Sequence, residues 1–60
     1  MIITIDEAAT MYARFCVARY GDRALPIVQE QIAILEGRGD MSGAEAWTKV
    51  AEALERMNAA

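Results

Sequence analysis

The sequence predicts an all-α fold, a compact three-helix bundle or array with short joints. Three observations carry that prediction. Two capping boxes, Thr4-Ile5-Asp6-Glu7 and Ser42-Gly43-Ala44-Glu45, mark helix starts. In each, a hydroxyl can accept from the N–H three residues on while the glutamate reaches back to the cap's own N–H. Glycine-containing breaks, Gly21-Asp22 and Gly37-Arg38-Gly39-Asp40, punctuate the chain between them, and the intervening segments repeat apolar residues at helical spacing. The expected helices cover residues 5–20, 23–36 and 43–57 of a single domain spanning the 60 residues.

In the first helix, Ile5, Ala8, Ala9, Tyr12, Phe15 and Cys16 share one broad face, which Met11 and Ala18 widen on one flank and Ala13 and Tyr20 on the other. Only Asp6, Glu7, Thr10 and Arg14 form a polar strip, so this helix is expected to be more than half buried. Ile3 precedes the capping box as a hydrophobic staple, and Gly21 is placed to end the helix in the left-handed conformation. The second helix is expected to take Asp22 as its N-cap, with Pro26 in the first turn, where a missing N–H costs least. Leu25, Val28, Ile32 and Leu35 make its seam. Ile27 and Ile34, a heptad apart, lie well round towards the back, and a one-sided surface helix does not need that second pair. The third helix has its seam at Trp47, Val50, Leu54 and Met57, with Ala46, Ala51 and Ala53 as small shoulders and Met41 as staple. Its Glu45–Lys49 and Glu52–Arg56 pairs mark an outer face, and its tail from Asn58 is expected to fray. The expected core is Ile5, Tyr12, Phe15, Val28, Ile32, Leu35, Trp47, Val50 and Leu54. The β-branched start, residues 1–5, has no second strand to pair with.

A chain this short is marginal as a single core, and small domains compensate with disulfides, metals, close helix packing or oligomerisation. Cys16 is the only cysteine and there is no histidine, so an internal disulfide and a Cys/His metal site are both excluded. At 55% hydrophobic the chain is richer in apolar residues than a private core requires, which hints at a partner. The net charge of −3 is spread without a basic face, so no nucleic-acid partner is expected. No apolar run approaches the roughly 20 residues that span a bilayer, and the first three residues lack the features of a signal peptide. A free thiol without a secretion signal points to the cytoplasm.

None of the chemically suggestive residues converges on a site, and no catalytic, cofactor-binding or metal-ligating residue is assigned. Cys16 lies in the second half of a helix between Phe15 and Val17, with no histidine to activate it, and reads as a small buried hydrophobe. Asp6, Glu7, Asp40 and Glu45 sit at helix starts, where capping accounts for them, and Glu52 and Glu55 lie on a solvated face. The Gly37–Asp40 stretch follows a helix and ends in an anion-repelling carboxylate, so it is a joint and not a phosphate cradle. A DNA-reading helix-turn-helix is rejected because the would-be recognition helix carries Glu45, Glu52 and Glu55 against Lys49 and Arg56.

Gly21-Asp22-Arg23-Ala24, the apolar helix after it, the Gly-Asp joint and Trp47-Thr48-Lys49-Val50-Ala51-Glu52-Ala53 resemble a family of short alphaproteobacterial proteins of unknown function. In that family a Trp-x-x-Val/Ile-Ala-x-Ala pattern sits in the last helix. The resemblance covers residues 11–54 and implies a small cytosolic bacterial protein; it brings no activity or catalytic residue with it.

Two functional expectations follow. The preferred one is a non-enzymatic helical interaction module that self-associates. Ile27 and Ile34 then form the interface of a homodimer, rimmed by Arg23, Glu30 and Arg38, although the same two isoleucines could be covered within the chain. The alternative is a small-molecule or regulatory-ligand binder whose cleft is lined by Tyr12, Tyr20, Trp47 and Met57.

Overall fold

Helix α1 (Ile5–Tyr20) begins on its capping box: Thr4 Oγ1 accepts from the Glu7 N–H at 3.1 Å and Glu7 Oε1 accepts from the Thr4 N–H at 3.4 Å. The computed structural model describes residues 2–59, with side chains for residues 2–58. Met1 and Ala60, at the ends of the expected N-terminal and fraying segments, lie outside the described residues.

No open joint follows α1. Gly21 takes a positive φ of 59°, but its ψ of −129° is not that of a left-handed helical cap. The chain passes through a single 3₁₀ turn, Gly21–Arg23, straight into α2 (Ala24–Gly37). The first two expected helices are therefore arms of one bent helix of 33 residues, packed with α3 (Met41–Ala59), and not two clearly separate helices. A straight helix of that length would measure about 50 Å, whereas the longest extent of the molecule is 32 Å. Two identifiable causes bend it: the positive φ at Gly21, and Pro26, which has no N–H to donate back along the helix. Asp22 does not cap α2 as expected. It lies within the 3₁₀ turn, and Arg23 occupies the cap position without a side-chain hydrogen bond. The turn itself is the reason: the Ala24 N–H, which a cap at Asp22 would accept from, already donates to Gly21 O.

The turn between α2 and α3 is built around Gly39 and Asp40. The Asp40 N–H donates to Leu35 O at 2.9 Å and the Gly39 N–H to Glu36 O at 3.0 Å, with Gly39 at φ 77°. This is the paired Schellman closure of a helix, which requires the left-handed region at its central residue. Asp40 then opens α3: its Oδ1 accepts from the Gly43 N–H at 2.9 Å. Ser42 is thereby inside the helix, and the expected second capping box is replaced by an aspartate cap two residues earlier. An ionised carboxylate at a helix start gains from the macrodipole as well as from the hydrogen bond, so Asp40 outcompetes the hydroxyl.

Helix α3 packs against both arms of the bent helix, far more extensively than the arms pack against each other. The core they enclose is made of small residues. Six of the buried residues are alanines, Ala9, Ala13, Ala24, Ala44, Ala51 and Ala53, joined by Cys16, Val28, Leu35, Val50 and Leu54. Leu25, Ile32 and Trp47 pack against this cluster from its edges. Three expected core residues are instead outside: Ile5 is 68% exposed, Tyr12 43% and Phe15 52%. Helix α1 presents Ala9, Ala13 and Cys16 to the interior, so it is turned relative to the expected face and is not more than half buried. The molecule is only 19 Å thick, about two helix diameters.

Candidate functional site

The turn of α1 that buries Ala9, Ala13 and Cys16 leaves a large apolar surface on its other side. Ala8, Met11, Tyr12 and Phe15 lie along it with Ile5, and Ile2 and Ile3 stand exposed just before the helix. Tyr12 links this surface to the rest of the molecule. Its ring meets Phe15 at a centroid distance of 5.6 Å, and on the other side Trp47 of α3 edge-on at 5.1 Å. Edge-to-face pairs of this kind orient aromatic rings and add to their burial. The result is an aromatic row running from the open face of α1 across to α3.

Behind the row lies a groove of about 290 Å³, lined by Tyr12, Cys16, Tyr20, Ile27, Val28, Gln31 and Trp47. Three residues expected in a ligand cleft, Tyr12, Tyr20 and Trp47, share this lining. Met57 does not; it lies elsewhere on α3 and is exposed. The residues expected at a dimer interface are divided. Ile27 is half-buried and lines the groove beside Tyr20, so it is not on the far side of α2 from the core. Ile34 is 47% exposed, and Arg23, Glu30 and Arg38 are exposed around the bend, α2 and the following turn. The second apolar face belongs to α1 more than to α2. The signal that could have shown this is the Ala9–Ala13–Cys16 series, spaced by four and three residues: a stripe of small side chains permits the closest helix approach, so the bulky neighbours must face out.

The chemistry available here is limited. Burial pushes the Cys16 thiol above its ordinary pKa, which keeps it protonated and poorly nucleophilic at neutral pH. Two threonine hydroxyls are engaged locally, Thr10 donating to Asp6 O at 3.0 Å and Thr48 to Ala44 O at 2.8 Å. Among the described residues no buried side-chain polar atom lacks a partner, no group of three acidic, Cys or His side chains could hold a metal ion, and no helix is long and apolar enough to cross a membrane. The open face is an apolar surface that can bind by exclusion of water, whereas the groove mixes apolar side chains with Gln31 and two tyrosines. Compared with protein-family models, with curated proteins and with solved structures, the chain matches none.

Proposed function

We propose that this chain is a non-enzymatic helical interaction module whose working surface is the open face of α1 with its aromatic row. One observation carries the reading: alanines fill the interior while Met11, Tyr12 and Phe15 stand outside. Large apolar side chains gain about 25 cal/mol for each Å² they remove from water, and contiguous exposed patches of them mark interaction surfaces. In this reading the arms of the bent helix and α3 act as the three helices of one array, with α1 covered on one side only. The cytoplasm suits a protein whose single thiol stays reduced. The family that residues 11–54 resemble would make it a small bacterial protein.

The test is whether the face is dispensable for folding. Met11→Ser/Phe15→Ser, compared with the wild type at about micromolar concentration, keeps its helical far-UV spectrum and its urea midpoint, as surface changes do. The variant also loses the binding of an apolar dye that the wild type shows. Loss of the helical spectrum, or a large fall in the urea midpoint, would mean that the face is core, and the reading would fall.

The groove supports a second reading, a small-molecule or regulatory-ligand binder, because three aromatic side chains converge on it. Its volume is at the lower limit of ligand pockets. Quenching of Trp47 fluorescence by an apolar metabolite, retained in Met11→Ser/Phe15→Ser, would favour the groove over the open face.

A further inference from the structure

We infer that the occupant of the open face of α1 is a second copy of this chain, packed α1 against α1 in antiparallel fashion about a two-fold axis. The inference rests on the interaction-module reading and goes beyond it by naming the partner.

Surface area supplies the first argument. A folded monomer of 6.6 kDa exposes about 3,900 Å² by the usual scaling with mass. This chain exposes 4514 Å². The surplus is about 600 Å², which is what each partner gives up at the lower end of stable protein–protein interfaces. A two-fold pair disposes of that surplus on both chains at once, because a two-fold interface uses the same patch twice.

Charge supplies the second. The chain as a whole carries −3, but α1 is balanced, with Asp6 and Glu7 against Arg14 and Arg19. The two signs are segregated along the helix: the acids lie in the first turn and the arginines in the second half. A parallel pair would set acid beside acid and arginine beside arginine. Asp6 lies on the far side of α1 from the apolar seam, but Glu7 and Arg14, a heptad apart, border that seam on one flank. An antiparallel pair sets Glu7 of each copy beside Arg14 of the other, and it also opposes the two helix dipoles. Between these ends lie Ala8, Met11 and Phe15, with spacing of three and four residues, the seam that helix pairs bury. Nothing comparable surrounds Ile34 on α2, where Ile27 is already half-covered beside Tyr20.

Sedimentation equilibrium at tens of micromolar, with thermal unfolding at several concentrations, tests the pair. The wild type is expected to be dimeric, with a midpoint that rises with concentration. Met11→Ser/Phe15→Ser is expected to be monomeric and Ile34→Glu to remain dimeric. Arg14→Glu/Arg19→Glu is expected to dissociate at least tenfold more readily at low ionic strength, with the difference shrinking as salt is added. A monomeric wild type overturns the second copy, and the interaction-module reading then survives if Met11→Ser/Phe15→Ser still folds. A dimer released by Ile34→Glu and not by the α1 variant places the interface on α2 and overturns the inference. A dimer indifferent to Arg14→Glu/Arg19→Glu at every ionic strength overturns the antiparallel arrangement.

Discussion

The two sides of α1 are built from the same sixteen residues and have opposite characters. The inner side carries Ala9, Ala13 and Cys16 and is closed; the outer carries Ala8, Met11, Tyr12 and Phe15 and is open. Apolar content alone would have buried the outer side first. What decides in favour of the inner one is proximity. Small side chains let α3 approach α1 closely, and each contact atom then has neighbours within dispersion range. The bulky side would hold the helices apart in an array whose largest fully buried side chains, among the described residues, are Val28 and Leu54. In so small a molecule, the face chosen for internal packing is the one that fits, and the more hydrophobic one is left for an external partner.

The largest expected effect concerns Cys16, the one reactive group on the inner side. Its alkylation by iodoacetamide should run at least about a hundredfold slower in the native chain than in urea. Reaction must await opening, and a small core resists opening by about 3 kcal/mol or more. Burial raises the thiol's pKa in the fold, so the unfolded chain loses its proton first as pH rises. The contribution to stability is present below the unfolded thiol's pKa and is lost as pH climbs through and beyond about 9. The urea midpoint should therefore decline in that range, and Cys16→Ala should remove that component of the decline. Rapid alkylation of the folded protein would show that the inner side is not closed.

Next in size is the direct contrast. Ala13 is fully buried, and Ala13→Leu should cost about 2–3 kcal/mol by overpacking. Phe15→Ala, measured at about micromolar concentration, should stay within about 0.5 kcal/mol of the wild type. Equal losses at the two positions would erase the distinction between the faces.

How far this was legible differs by element. The start of α1 was fully readable, because Thr4, Glu7 and their spacing act within one turn and need nothing from the rest of the chain. The all-α class was readable for the same reason. The bend was not: Gly21 looked like a stop, yet its N–H still reaches Val17 O and the chain resumes helical geometry within three residues. The start of α3 was misplaced because two caps, Asp40 and Ser42, compete two residues apart, and only the geometry of the preceding turn decides between them. The rotation of α1 was hidden because periodicity reports how many apolar residues share a face and says little about which width of face a neighbour will accept. Of the residues expected in a cleft between the first and third helices, Tyr12, Tyr20 and Trp47 line a groove that also takes Ile27, Val28 and Gln31 of α2 and leaves out Met57, and the size of the apolar face outside them was not foreseen.

The α2–α3 turn should be more sensitive than the start of α1. Gly39 needs its positive φ, so Gly39→Ala should cost about 1–2 kcal/mol in urea unfolding. Asp40→Ala should cost about 1 kcal/mol through the lost cap. Thr4→Ala, which removes a neutral cap and leaves the macrodipole unchanged, should cost less than Asp40→Ala. The reverse order would mean that the first capping box anchors more of the structure than its exposure indicates.

The smallest effect is also the most diagnostic of how α3 begins. Alanine is normally favoured over glycine inside a helix by about 0.5–1 kcal/mol. Gly37, in the last turn of α2, has open space where a methyl group would go, so Gly37→Ala should gain a few tenths of a kcal/mol or more. At Gly43 an added Cβ would stand 2.8 Å from one carboxylate oxygen of Asp40 and 3.0 Å from its carbon. The carboxylate would have to leave the cap to make room, so the propensity gain and the lost hydrogen bond should nearly cancel, leaving Gly43→Ala within about 0.5 kcal/mol of the wild type. In an Asp40→Ala background there is no carboxylate to displace, and Gly43→Ala should then stabilise by its ordinary 0.5–1 kcal/mol. The four chains close a double-mutant cycle whose coupling should be about 0.5–1 kcal/mol. Zero coupling would show that the carboxylate can swing aside at no cost, and that α3 is opened by its backbone alone.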